Sequence, residues 1–192
     1  MRFSRLTLFV ILSAALYSGA AQARPAWYLG VMAGYARLSY DTTLGVVYNR
    51  VHDKRYTYAL ELGYQPLKYL AMEVAYHRYG HYDGTAASQC PSSQNCTPYG
   101  GAISNNLSGW TFLLVPQLPL GHHVSVFVDG GLLHWTMTGL LGSSITQEHF
   151  GNSAIYGAGV RYDFPWHVSL KASVHRSTIN LNEASVGAEW RF

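Results

Sequence analysis

Large apolar residues and small or charged residues alternate along most of this chain with a period of two. Residues 26–40 put Trp27, Leu29, Val31, Ala33 and Tyr35 on one parity, and Tyr28, Gly30, Met32, Gly34 and Ala36 on the other. Successive side chains of a strand point to opposite faces, so the pattern predicts a strand with one bulky apolar face and one small face. The alternation recurs at residues 56–64, 70–79, 124–135, 153–162, 167–175 and 184–192. It is least clean at 108–115, where 112–115 are continuously apolar and parity groups Trp110 with Phe112 and Leu114. The last stretch sets Ala184, Val186, Ala188, Trp190 and Phe192 against Ser185, Gly187, Glu189 and Arg191. Eight strands are therefore expected. A soluble barrel puts its larger apolar residues inside and its polar ones outside. Here the glycines and charges share one parity, as a narrow barrel interior requires, and the large apolar residues take the other. The outer face then meets an apolar surrounding.

The connections carry the same message. Residues 41–55, 80–107 and 136–152 are long and polar, 65–69, 116–123 and 163–166 are short, and 177–180 is intermediate. Long loops at one end and short turns at the other, joining an even number of strands of ~9–11 residues, are the pattern of an antiparallel up-and-down barrel that crosses a membrane. The last strand would be an association hazard if left unpaired, so it is expected to pair with the first and close the barrel. Trp27, Tyr64, Tyr69, Tyr162, Trp166, Trp190 and Phe192 fall at the short-turn ends, and Tyr35, Tyr56, Tyr58, Tyr76 and Trp110 at the other. Amphipathic rings prefer the two membrane interfaces.

Composition adds three points. Charged residues make up 12% of the 192-residue chain, aromatics 14%, and Tyr alone numbers 15, which is unlike an ordinary soluble domain. Residues 1–23 carry Arg2 and Arg5, an apolar run over 6–16 and the small-residue sequence Ala21-Gln-Ala23. They read as a cleaved secretory signal peptide, with 24–192 as one barrel domain. Without Arg2 and Arg5 the formal charge falls from +3 to +1, so the basic pI does not point to nucleic acid. No stretch of 24–192 approaches the ~20 consecutive apolar residues of a membrane helix, and a membrane chain without such helices must be a closed barrel.

The pieces WYLGVMAGYARL, ELGY (Glu61–Tyr64), MEVAY (Met72–Tyr76) and the ending SVGAEWRF resemble the eight-stranded outer-membrane barrels of Gram-negative bacteria. The likeness is to the OmpA-type transmembrane domain and the opacity-type surface proteins. It spans essentially all of 24–192 and implies an integral outer-membrane barrel with periplasmic termini. It also implies a structural or surface-interaction role, adhesin-like, exercised through the long loops on host or environmental ligands. In such families the terminal aromatic is the signal read by the barrel assembly machinery, which places Trp190 and Phe192 in that role. The resemblance does not extend to the peptidoglycan-binding domain that follows the barrel in full-length OmpA-type proteins, so a cell-wall tether is not expected.

Chemistry-bearing residues fall into four groups. The inward parity collects Glu61, Glu73, Asp129, Arg161, Lys171, Glu189 and Arg191, which are expected to pair as one charge network inside, since Arg or Lys on the lipid face costs ~2–4 kcal/mol at mid-membrane. The alternative use of that network is a narrow gated pore, as proposed for OmpA-type interiors. Cys90 and Cys96 read as one disulfide stapling a surface loop in an exported protein; a Cys/His metal site is the alternative, without a second Cys pair to support it. His175-Arg-Ser177 resembles the H-x-S element of the outer-membrane lipid A deacylases, with Glu183 as a third member. That chemistry needs His and Ser facing lipid, whereas His175 shares the inward parity of Lys171. Finally, Arg37, Arg78 and Arg176 lie at strand ends, where they can meet lipopolysaccharide phosphates bidentately. No cofactor, metal or nucleic-acid partner is expected.

Overall fold

A computed structural model of the chain describes residues 26–44, 47–88, 100–141 and 145–192, with side chains described over 26–39, 53–83, 104–139 and 148–192. The eight strands are β1 (Ala26–Leu44), β2 (Val47–Leu67), β3 (Leu70–Ser88), β4 (Gly100–Pro119), β5 (Val124–Leu141), β6 (Ile145–Asp163), β7 (Val168–Ser177) and β8 (Leu181–Arg191). Each pairs antiparallel with its neighbour in sequence, and β8 pairs with β1, so the sheet is a closed barrel. The seam runs from Tyr28 opposite Arg191 to Leu38 opposite Leu181. Its ends are sealed by the Phe192 N–H donating to the Trp27 carbonyl at 3.0 Å and the Ser39 N–H donating to the Asn180 carbonyl at 3.2 Å. Closure leaves no free sheet edge over the span where all eight strands pair. No helix among the described residues is long and apolar enough to cross a membrane.

Side-chain direction follows the alternation of the sequence. Tyr28, Met32, Ala36, Thr57, Ala59, Glu61, Ala71, Glu73, Ala75 and His77 are buried in the lumen, while Val31, Leu60, Phe112, Leu132, Val174 and Val186 are each more than half exposed outside. Trp27 meets Tyr64 at the short-turn end with ring centroids 4.6 Å apart, and Tyr76 meets Trp110 toward the other end at 5.1 Å. The two aromatic bands thus form where strand ends were expected to carry them.

The strands are longer than their apolar alternation predicts, and this corrects the loop assignments. Residues 41–44 and 47–55 extend β1 and β2, 80–88 and 100–107 extend β3 and β4, and 136–141 and 145–152 extend β5 and β6. These segments are polar because they lie beyond the outward apolar band, and their ladder rests on backbone hydrogen bonds, which need no hydrophobic face. The pairing of β7 and β8 stops at a tight turn over 178–180, with Asn180 at φ 57. The wall is therefore tall from β1 to β6 and low at β7–β8. On β3 the register slips by one residue between Arg78 and Gly80. Gly80 takes φ 87 there, a conformation open to glycine, and this bulge lets both Tyr79 and Tyr82 be fully buried.

Candidate functional site

The lumen is filled in three layers. Toward the short turns lies a five-residue charge cluster, positioned by register. Gly30 on β1 stands opposite Glu61 of β2 on one side and Glu189 of β8 on the other, and without a side chain between them the two carboxylates approach. Glu73 comes from β3, where it stands opposite Gly63. A Cβ at Gly63 would collide with the ring of Tyr28, so this glycine seats the ring whose hydroxyl donates to Glu73 Oε1 at 2.6 Å. From the far wall, Arg161 of β6 and Lys171 of β7, paired across their ladder, reach in.

Lys171 Nζ donates to Glu61 Oε2 at 2.9 Å and to Glu73 Oε2 at 2.7 Å, and lies 3.7 Å from Glu189 Oε1. Arg161 donates from Nη2 to Glu189 Oε1 at 3.0 Å and from Nη1 to Gln117 Oε1 at 2.8 Å. Its Nε lies 2.9 Å from Glu189 Oε2 as an ion pair, without the alignment of a hydrogen bond. The guanidinium stacks over Tyr28 at 5.1 Å, and Lys171 Nζ sits 5.3 Å from the centre of the Phe127 ring. One carboxylate oxygen each from Glu61, Glu73 and Glu189 lies within 4.8 Å of the others, the spacing of a metal site, but the Lys171 ammonium already stands among them.

The middle layer is polar with few charges. Asp129 Oδ2 lies 3.1 Å from His175 Nε2. Thr57 donates to Glu183 Oε1 at 2.7 Å, Glu183 Oε2 lies 3.5 Å from His77 Nδ1, and His77 Nε2 meets Thr111 Oγ1 at 3.2 Å. Ser173 pairs with Ser185 and Ser153 with Ser177, each at 3.0 Å. Above it, toward the long hairpins, Leu38, Tyr79, Tyr82, Leu107, Leu133, Met137, Ile155 and Leu181 pack into an apolar cap.

The expected single network is thus three separate arrangements. Glu61, Glu73, Arg161, Lys171 and Glu189 meet. Asp129 belongs to the middle layer with His175, because its ladder position lies opposite Gly157, two residues further along each strand from the Phe127–Gly159 pair beside the cations. Arg191 sits at the short-turn rim, where Nη2 pairs with Asp163 at 3.2 Å. Parity reports the face of a side chain and not its height along the lumen. Tyr28 and Gln117 were missed as members of the cluster, since a neutral inward residue gives no charge signal in the sequence. Of the deacylase-like trio, His175 contacts Asp129, Ser177 contacts Ser153 and Glu183 contacts Thr57 and His77. All three point into the lumen, and the structure brings no triad together. Cys90 and Cys96 lie outside the described residues. Arg37, Arg78 and Arg176 are exposed on the outer face, and Trp190 and Phe192 are 55% and 69% exposed at the short-turn end.

Comparison with known proteins agrees with this architecture. Neisserial surface protein A (NspA) superposes with a TM-score of 0.62 at 19% identity, covering 87% of this chain and 99% of that one. The N-terminal β-barrel domain of Pseudomonas aeruginosa OprF gives 0.58 at 16% identity, covering 89% and 100%. Ail, the attachment invasion locus protein of Yersinia pestis, solved in complex with the heparin analogue sucrose octasulfate, gives 0.56 at 13% identity, covering 88% and 100%. At these identities the likeness is one of fold. A search of curated protein sequences finds no match. The model of the outer membrane protein beta-barrel domain matches residues 6–192, and with its closed eight-stranded barrel, charged lumen and apolar exterior, the chain belongs to that family of integral outer-membrane proteins.

Proposed function

We propose that the protein is a surface-interaction barrel, in which the membrane-embedded part is a rigid pedestal and the long hairpins present the binding surface outside the cell. The observation that carries this reading is the height of the wall. From Tyr76, in the aromatic band, β3 runs on to Ser88, roughly 40 Å of strand, which at the usual barrel tilt rises about 30 Å. Such a ribbon holds its tip clear of the membrane at little entropic cost, because its backbone is already ordered. In this topology both termini are periplasmic. Outer-membrane lipids and lipopolysaccharide are the lateral partners, and Trp190 and Phe192 present the outward aromatic signal to the barrel assembly machinery. A Cys90–Cys96 disulfide would pre-order the tip of the β3–β4 hairpin. The segment 41–55 contains Arg50, Lys54 and Arg55, and Ail is solved with a heparin analogue, so a sulfated polysaccharide is the first ligand class to probe.

The test compares intact cells displaying the wild-type barrel with cells displaying one whose residues 88–99 are replaced by a short turn. Binding to immobilised heparin and to cultured host cells is measured. The replacement is expected to leave the barrel inserted and to lower binding to host cells, whereas heparin retention, carried by the cations of residues 41–55, is expected to fall in Arg50→Gln/Arg55→Gln. Equal binding by both, with equal surface display, would remove the hairpin tip from the function.

A further inference from the structure

The outer face of the barrel is not uniform around its circumference, and one sector combines charge with a dent. The register places Tyr156 of β6 opposite Arg176 of β7, Arg176 opposite Asn182 of β8, Asn182 opposite Arg37 of β1 and Arg37 opposite Lys54 of β2. All five are exposed, so three cations and an amide form one lateral row. Directly below, toward the middle of the apolar band, the next outward row is Ala158, Val174, Ala184, Tyr35 and Tyr56, followed by Val160, Ala172, Val186, Ala33 and Tyr58. Small side chains in the centre and tyrosines on one flank leave a groove of about 690 Å³ beneath the row, with Arg37, Lys54 and Arg176 at its rim. A second groove of about 630 Å³ continues it over Ala33, Ala172 and Val186.

The opposite sector differs. Arg78 on β3 stands between Tyr58 of β2 and Ser108 of β4, with no second cation beside it in that ladder row, and below it Tyr76 packs on Trp110 and Val74 faces Phe112, so large side chains stand where the other sector has small ones.

We propose that the sector over β6, β7, β8, β1 and β2 is a binding site for one acylated glycolipid carrying more than one phosphate, held in the outer leaflet. A cationic row at the edge of the apolar band complements an anionic headgroup, Arg supplies bidentate phosphate contacts, and the groove below takes an acyl chain alongside Tyr35 and Tyr56. The row from Lys54 to Arg176 crosses three inter-strand gaps, about 15 Å, which is wide for one phosphate and suits a headgroup with two. Asn182 at its centre donates to a sugar or phosphate oxygen. This deepens the lipid-partner part of the proposed function and rests on its topology, with the long hairpins outside.

The experiment uses the folded barrel in detergent, with native mass spectrometry titrations of diphosphoryl lipid A, monophosphoryl lipid A and phosphatidylglycerol. Wild type should retain one diphosphoryl lipid A in preference to the other two. The triple variant Arg37→Gln/Lys54→Gln/Arg176→Gln should bind it roughly a hundredfold more weakly, about fivefold for each basic group lost at an anionic lipid. Ala184→Phe, which fills the groove without touching charge, should also weaken retention, and Arg78→Gln should not. Equal affinity of wild type and triple variant, or equal loss in Arg78→Gln, overturns the site. Unboiled and boiled samples run on gels separate the two levels. A compact unboiled band with no lipid preference sinks only the lipid site, whereas identical mobility of both wild-type forms sinks the barrel reading itself.

Discussion

Lys171 is the residue on which the lumen cluster turns. Three carboxylates and two cations are closed off from water, and the ammonium contacts Glu61 and Glu73 directly while lying 3.7 Å from Glu189. A buried ion cluster adds little net stability over an apolar core of the same volume, but removing one partner strands the others without compensation. Lys171→Met is therefore expected to cost about 3–5 kcal/mol, read by denaturant unfolding in lipid vesicles, and Glu61→Gln on that background should recover part of the loss. A cost below about 1 kcal/mol, the range of an exposed pair, would show that water reaches the cluster. Gly63 and Gly30 belong to the same argument, since the absence of their side chains admits the Tyr28 ring and lets Glu61 and Glu189 approach.

The strand extensions beyond the apolar band hold together through backbone ladders and a few side-chain ties. Asp53 of β2 accepts the backbone N–H groups of Lys54 at 2.7 Å and Asp83 of β3 at 3.1 Å, and Arg55 bridges Asp53 and Asp83. Burial raises the Asp53 carboxyl, but those N–H donors and the Arg55 guanidinium together hold it below the usual carboxylate range. The folded ribbon thus favours the carboxylate more than the unfolded chain does. Its contribution is fully present above the unfolded value of about 4 and is lost as pH falls through the lower folded one. Hydrogen-exchange protection of the Lys54 and Asp83 amides should hold from neutral pH down to about that value and decline below it. Asp53→Asn should abolish the decline, and a decline that persists in Asp53→Asn would assign it to another group.

At the scale of the whole molecule, the closed wall divides two environments. Val128 of β5 is 57% exposed within the apolar band, and Phe150 of β6 is 75% exposed on the extension beyond it. Both point outward, so exposure alone does not separate them. Lipid does. Val128→Arg should cost ~2–4 kcal/mol of barrel stability in a bilayer, while Phe150→Arg should leave it close to wild type. Equal effects at the two positions would mean that the apolar band does not end where the aromatic rows place it.

The amino-acid sequence by itself determined the strand count, the direction of each side chain and the inversion that makes the exterior apolar. Those properties follow from a period of two, which is local to each strand. Glu61, Glu73, Arg161, Lys171 and Glu189 were legible as inward charges for that reason. Which charges meet was settled only by the tertiary structure, because height in the lumen depends on the register between strands and on the tilt of a closed barrel. Asp129 therefore joins His175, Arg191 joins Asp163 at the rim, and the neutral Tyr28 and Gln117 enter the cluster. Strand length was hidden for a related reason. Beyond the lipid, β1 to β6 continue chiefly on backbone hydrogen bonds, with no outward apolar band to mark them, and a polar segment that pairs leaves the same mark in a sequence as one that loops.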